Sequence, residues 1–355
     1  MMPRGAPEGA EVRVGIDGKC LLPPRAGVAR YLEGVLGALA ACPHPDAAID
    51  VLAPPRPRRT LPWALWDLRR ATRRYDAMHF PFYYPPPFAR CPVTVAIHDV
   101  LVLEHPEWFT PRRFNTLRAM IPPGARRSAA VVTGSRCVAD AIVRACRVPR
   151  ERIRIIGYGL DHERFAVPPP PAVAAVRRRL GLERPFVLQL GALEPRRGVD
   201  LALAAVEALR PDHRDLELVL AGEARMAIAA LAAPPPWVRL LGRVADEDLP
   251  ALYAAAAAVV APSRGEGFDF PVLEALACGA AVVASDIAVH VEHFAEAAEL
   301  FACGDEAALA GALGSVLTDS ARAAALRAGG PRVAARFTWE EAARRHLELW
   351  REVAR

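Results

Sequence analysis

Short runs of β-branched and small apolar residues alternate with helix-period segments along almost the whole chain, and few architectures accommodate that rhythm. It predicts parallel sheets flanked by helices. In the first half the strand candidates are Val12–Ile16, Ile49–Leu52, Ala77–Phe80, Val93–Ile97, Ala130–Thr133 and Ile153–Ile156, with helices at Val28–Ala41, Arg112–Met120 and Arg136–Ala145. Pro168 to Pro171 then interrupt the pattern. Consecutive prolines fit neither a helix interior nor a central strand, so a stiff linker is predicted there. Beyond it, strands are expected at Phe186–Leu190, Leu216–Ala221, Val238–Leu241, Ala258–Ala261 and Ala281–Ala284. The organisation is therefore read as an α/β, Rossmann-like domain over 11–165, a Pro-rich linker over 166–176, a second Rossmann-like domain over 177–337 and a final helix over 338–355. Thr338 and Glu341 mark the start of that helix as a capping box. Two domains also suit 355 residues, because single cores stop growing at about 250–300. Doubly wound sheets bind ligands outside the carboxyl ends of their strands, which places the expected site in a cleft between the domains.

Composition narrows the setting. With 53% hydrophobic and 24% charged residues the chain reads as globular, and no apolar run reaches the ~18–20 residues of a membrane span. The first ten residues read as a frayed tail rather than a signal peptide. Seven scattered cysteines without a C-x-x-C pair argue against a disulfide framework or a zinc site and suit a reducing, cytoplasmic compartment. A net charge of +5 suits an anionic ligand or membrane surface and gives no reason to expect nucleic acid. Lys19 is the only lysine.

Four segments carry chemistry, each following a predicted strand. Ser263 to Glu274 follows Ala258–Ala261; Gly265 and Gly267 allow a tight loop, Pro271 suits a first helical turn, and Glu266 and Glu274 can accept hydrogen bonds from a polyol. Arg196 and Arg197 follow Phe186–Leu190 as two adjacent cations before a helix, a pattern able to clamp phosphate. Pro24 to Tyr31 holds Gly27 at a helix N-terminus, where backbone N–H groups can meet an anion. His98 and Asp99 end the strand Val93–Ile97. Asp246 and Asp248 form a D-x-D pattern, but they sit where acidic residues favour a helix N-terminus, so capping is preferred to a metal site.

These motifs resemble glycosyltransferase family 4, the retaining GT-B enzymes with an E-x7-E signature, and the likeness runs from Val12 to the final helix. The resemblance implies a GT-B architecture, with the final helix packing back toward the N-terminal domain. It implies that Glu274 binds the nucleotide ribose and that Glu266 contacts the transferred sugar. Arg196 and Arg197 would hold the diphosphate, with Arg197 where the family has lysine. Gly27 would lie near the diphosphate, His98 would hydrogen-bond the donor, and Val244 would meet the base. Gly267, Phe268 and Asp269 would bind the donor; relatives mostly carry glycine at 269, and the Asp269 carboxylate is expected to cap the helix that follows, with an altered sugar preference or repulsion of phosphate as the alternatives.

The implied reaction is retaining transfer of a hexose, mannose-like by analogy, from a nucleoside-diphosphate sugar to a glycan or lipid-linked acceptor. The co-substrate is a nucleotide-sugar, and neither a cofactor nor a metal is expected. A phosphorylase of the same fold needs a Schiff-base lysine that the second domain lacks. A sugar-nucleotide epimerase and a non-catalytic nucleotide-sugar-binding protein stay open. Arg56, Arg58, Arg59, Arg69, Arg70, Arg73 and Arg74 surround Trp63 and Trp66. They fit either a solvated helix with its tryptophans packed inward or a peripheral contact with the inner face of a bacterial plasma membrane.

Overall fold

A computed structural model describes residues 12–23, 27–42, 44, 46–54, 63–83, 85–224, 226, 228 and 231–355. The expected N-terminal tail, the Pro24–Ala26 stretch and Arg56, Arg58 and Arg59 lie outside the described residues. The chain divides into two compact units: residues up to Gly159 together with Thr338–Arg355, and Leu160–Phe337.

Unit 1 is built on six parallel strands, β1 (Val12–Asp17), β2 (Ala47–Leu52), β3 (Ala77–Phe80), β4 (Val93–Ala96), β5 (Ala130–Thr133) and β6 (Ile153–Ile155), in the order β2-β1-β3-β4-β5-β6. Every residue of β3, β4 and β5 is buried, as expected of a parallel sheet with helices on both faces. Those helices are α1 (Gly27–Ala41), α2 (Leu68–Ala71), α3 (Leu101–Glu104), α4 (Pro111–Arg127) and α5 (Arg136–Cys146). The helix expected over Arg112–Met120 is α4, which instead runs on through Pro122 and Pro123 to Arg127. Leu117, Ile121, Gly124 and Ala125 are buried on its inner face, and that packing outweighs the missing ladder hydrogen bonds.

Unit 2 repeats the plan. Its strands are β7 (Phe186–Leu190), β8 (Glu217–Ala221), β9 (Val238–Gly242), β10 (Ala258–Ala261), β11 (Val282–Ser285) and β12 (Ala298–Phe301), all parallel and in the order β12-β11-β10-β7-β8-β9. Its helices are α6 (Pro170–Leu180), α7 (Val199–Leu209), α8 (Leu249–Ala255), α9 (Phe270–Ala277), α10 (Ala288–Phe294), α11 (Glu306–Thr318) and α12 (Ser320–Ala334). The sequence reading missed β12, whose Glu299 interrupts a short apolar run. It also placed a linker over 166–176 where α6 already begins at Pro170. Pro170 and Pro171 occupy the first turn, where no N–H is required and the fixed φ of proline suits the helix.

The last helix, α13 (Trp339–Ala354), belongs to unit 1 and packs on α1. A Cβ added to Gly34 of α1 would lie 2.1 Å from the Trp339 ring, so only glycine allows this approach. Thr338 accepts from the Glu341 N–H at 3.4 Å, which is one half of the expected capping box. The other half is not formed, because the Glu341 carboxylate instead takes both bonds of the Arg344 guanidinium at 2.8 and 2.6 Å.

Candidate functional site

In unit 2 the chain runs from β7 to β8 and β9 on one side, then returns to place β10, β11 and β12 on the other. The loops that leave the adjacent strands β7 and β10 therefore diverge, and such a switch point is where doubly wound sheets bind ligands. The loop after β7 holds the tight turn Pro195–Arg197, and the loop after β10 runs from Pro262 to Asp269. Both loops are tied together. Gly198 has φ +66°, and a Cβ there would lie 2.1 Å from the Pro262 carbonyl oxygen. The Arg264 N–H donates to the Arg196 carbonyl at 2.8 Å.

The switch point gathers the charged residues that the sequence singled out. Arg196 donates through Nε to Glu194 at 2.9 Å and through Nη1 to the Gly265 carbonyl at 2.9 Å, and the same Nη1 is 2.9 Å from Glu266. Arg197 places Nε 3.0 Å from the other oxygen of Glu266 and Nη1 3.0 Å from Asp269 Oδ1. Ser263 Oγ donates to Glu266 at 3.1 Å. Burial works against the charge of Arg197, but Glu266 and then Asp269 outweigh it and hold its pKa above the ordinary value. Burial likewise opposes the charge of Asp269, yet Arg197 and His290 bring its pKa down to about 2. The two arginines are thus a neutralised cluster, where the sequence suggested an open cationic clamp.

Asp269 departs from the expectation in a second way. It stands at the N-cap position of α9, but its side chain makes no capping hydrogen bond. A capping carboxylate needs extended backbone to reach the second or third N–H, and Asp269 has φ +74° and ψ 70°. Its carboxylate turns inward to Arg197 and to His290 Nε2 at 3.2 Å.

The remaining donor-loop residues divide between open and buried. Glu274 lies in α9, buried, and accepts from the Tyr253 hydroxyl at 3.0 Å. The Phe268 ring is buried in an aromatic cluster with Phe270, His293, Phe294 and Phe337. Gly267 beside it is partly exposed, so here the backbone rather than the ring is open to a ligand. Val244 is partly exposed just beyond the carboxyl end of β9. Asp248 precedes α8 but does not cap it, and pairs with Arg179 instead; Asp246 is 3.7 Å from Arg164. Among the described residues, no group of three or more His, Cys, Asp or Glu side chains could hold a metal ion.

In unit 1, Gly27 opens α1 beyond the carboxyl end of β1, and a Cβ there would meet nothing within 4 Å. Tyr31, four residues on, is buried in a hydrogen-bond chain whose proton positions can be assigned. His346 Nδ1 is 2.7 Å from the Ala342 carbonyl and must donate, so its Nε2 accepts from the Tyr31 hydroxyl at 2.6 Å. The Tyr31 oxygen then accepts from His79 Nε2 at 3.0 Å, and His79 Nδ1 accepts from Thr94 at 2.9 Å. Both rings are neutral, and burial holds the pKa of His346 down at about 4. His98 was expected to bond the donor, but its Nε2 donates to the Pro81 carbonyl at 2.9 Å and its Nδ1 accepts from the Tyr158 hydroxyl at 2.7 Å. Neither ring nitrogen is left for a ligand.

Sequence reasoning missed Glu194 and His290. Glu194 stands beside the arginine pair in the same loop. His290 follows β11 by five positions, so its place after a strand was a signal; a lone histidine in an ordinary helical segment was not.

Comparison with known proteins places this geometry. A family model described as Glycosyltransferase Family 4 matches residues 22–164, and one described as Glycosyl transferases group 1 matches residues 184–319. An O-antigen chain mannosyltransferase B of Escherichia coli is 28% identical over 80% of this chain and 74% of its own length. A D-inositol 3-phosphate glycosyltransferase of Xylanimonas cellulosilytica is 32% identical over 64% of this chain, which spans 58% of that protein. Among solved structures, Anabaena HepE in complex with UDP-glucose superposes with a TM-score of 0.76 over 96% of this chain and 99% of its own, at 18% identity. Two six-stranded parallel sheets, an arginine–carboxylate cluster at a switch point and a family model on each half agree: the chain belongs to the family 4-like glycosyltransferases, built on the two-domain Rossmann-like GT-B fold.

Proposed function

We propose that this protein transfers a hexose from a nucleoside-diphosphate sugar to a hydroxyl acceptor, with retention of configuration and without a metal ion. The observation that carries the reading is the cluster of Arg196, Arg197 and Glu266 at the β7/β10 switch point. A diphosphate entering there exchanges one anionic partner of the arginines for another, so the guanidinium groups stay paired while Glu266 turns to the sugar hydroxyls. Glu274 takes the ribose, Val244 the base, and the backbone of Gly267 to Asp269 the sugar.

In the transfer, the bond from the anomeric carbon to the phosphate oxygen breaks as the bond to the acceptor oxygen forms on the same face. The departing oxygen takes the acceptor proton. Arg196 and Arg197 stabilise the charge that develops on the diphosphate, each contributing on the order of 3 kcal/mol in a preorganised site. The name of the Escherichia coli relative supports mannose as the hexose and a glycan chain as the acceptor, and the UDP-glucose complex of HepE supports a nucleotide-sugar donor.

Peripheral attachment to an anionic membrane is part of this reading. Trp63 is buried and donates to Asp17 at 3.1 Å, whereas Trp66 is 65% exposed and lines a surface cavity of about 330 Å³ with Asp67, Arg69, Arg70, Arg73 and Arg90. A basic face with an exposed tryptophan suits an anionic headgroup layer. Among the described residues, no helix is long and apolar enough to cross a membrane.

The donor is identified by thermal shift with UDP, GDP, dTDP and ADP and their hexose conjugates. The matching nucleotide at a hundredfold its Kd should stabilise unit 2 by about 2.7 kcal/mol. No shift with any of them would sink the donor reading.

A further inference from the structure

His290 is fully buried in α10, and both of its ring nitrogens face acceptors. Nδ1 lies 2.9 Å from the Ser285 carbonyl, which can only accept, so Nδ1 carries a hydrogen. Nε2 lies 3.2 Å from Asp269 Oδ2. Asp269 Oδ1 is paired with the Arg197 guanidinium at 3.0 Å and so is ionised, which makes Nε2 a donor as well. A ring that donates from both nitrogens is an imidazolium. The backbone supports the importance of this contact. Asp269 keeps a left-handed conformation, φ +74°, that glycine adopts freely and that costs an L-residue on the order of 1 kcal/mol. Its carboxylate is the only part that glycine would lack.

We propose that protonated His290 is a positioning residue for the donor diphosphate: it neutralises Asp269, which in turn holds Arg197 against the phosphates. The inference rests on the donor reading above. Asp269 pairs with Arg197 through Oδ1 and with His290 through Oδ2, so the imidazolium shares this carboxylate with the guanidinium. The groups facing His290 are Asp269 from the loop before α9, the Ser285 carbonyl and hydroxyl at the end of β11, and the Phe294 ring on its own helix. Beyond Asp269 stand Arg197 and then Glu266.

The test is calorimetric binding of GDP and UDP at neutral pH, with ¹⁵N-histidine NMR of the unliganded protein. Wild type should show both His290 nitrogens protonated. His290→Gln keeps a hydrogen bond to Asp269 without the charge, and its nucleotide affinity should be at least about tenfold lower. Asp269→Gly combined with His290→Leu leaves no uncompensated carboxylate and should bind more tightly than His290→Gln, which also guards against a single variant that fails to fold. In turnover, His290→Gln should raise the donor KM. A neutral His290 in the NMR spectrum, or wild-type affinity in His290→Gln, overturns the role of His290 alone. If neither nucleotide binds wild type, the donor reading fails and takes this role with it.

Discussion

Mild acid should loosen unit 1 through the buried histidines, and His346 gives the size of the effect. Its ring is fully buried, donates to the Ala342 carbonyl and accepts from Tyr31. Charging it would remove the acceptor that Tyr31 uses. Burial lowers its folded pKa from 6.5 to about 4. The unfolded chain therefore binds the proton first, and stability falls as pH drops below about 6.5 until the folded pKa is passed. Between pH 7 and pH 5 this one group should remove about 2 kcal/mol. His79 and His98, both depressed chiefly by burial, act in the same direction. His346→Gln removes the titration while its amide can still donate to Ala342 and accept from Tyr31. Urea unfolding followed by tryptophan fluorescence is the assay, because Trp63, Trp66, Trp108, Trp339 and Trp350 lie in unit 1 and only Trp237 in unit 2. The wild type should lose about 2 kcal/mol more than His346→Gln over this interval. Equal losses in the two proteins would refute the assignment of a neutral, buried His346.

Three further outcomes follow from the same geometry. Gly198→Ala puts a Cβ against the Pro262 carbonyl at a positive φ, so unit 2 should lose at least about 1 kcal/mol in urea, and turnover should fall because the two ligand loops are forced apart. Glu274→Gln keeps an acceptor for Tyr253 and should leave the melting temperature nearly unchanged, while nucleotide affinity measured by calorimetry falls by about 1.5–3 kcal/mol, the worth of a hydrogen bond to a charged group. Arg70→Glu with Arg73→Glu should abolish sedimentation with anionic vesicles at low salt without changing turnover on a soluble acceptor; unchanged sedimentation would leave that face a solvated surface.

The fold was legible because its strands are short, apolar and evenly interrupted. β3, β5, β7 and β10 begin and end where the pattern places them. Difficulty arises at paired prolines. Pro122 and Pro123 sit inside α4 because its buried face holds the helix together, which is not a local property of the sequence. Pro170 and Pro171 start α6 because a first turn needs no N–H, a local signal that the run from Pro168 obscures. The site was legible as two loops after two strands, and the structure brings Arg196, Arg197 and Glu266 into contact. What could not be read was how the charges pair. Asp269 resembled a cap by position, but a positive φ turns it inward. His98 follows β4 closely, yet Pro81 and Tyr158, distant in sequence, take both its nitrogens. His290 carried no motif, and its meaning depends on Asp269, twenty-one positions away.

The arginine–glutamate contact at the switch point carries the donor-site assignment most directly. Sugar transfer should be measured with the donor that the thermal-shift panel identifies, in wild type, Arg196→Ala and Glu266→Ala. The melting temperature of each variant serves as the control for folding. Loss of one donor to the diphosphate should lower turnover by about 10²–10³ in Arg196→Ala, and Glu266→Ala should fall comparably. Turnover within a few-fold of wild type in both folded variants would contradict the assignment of the donor site.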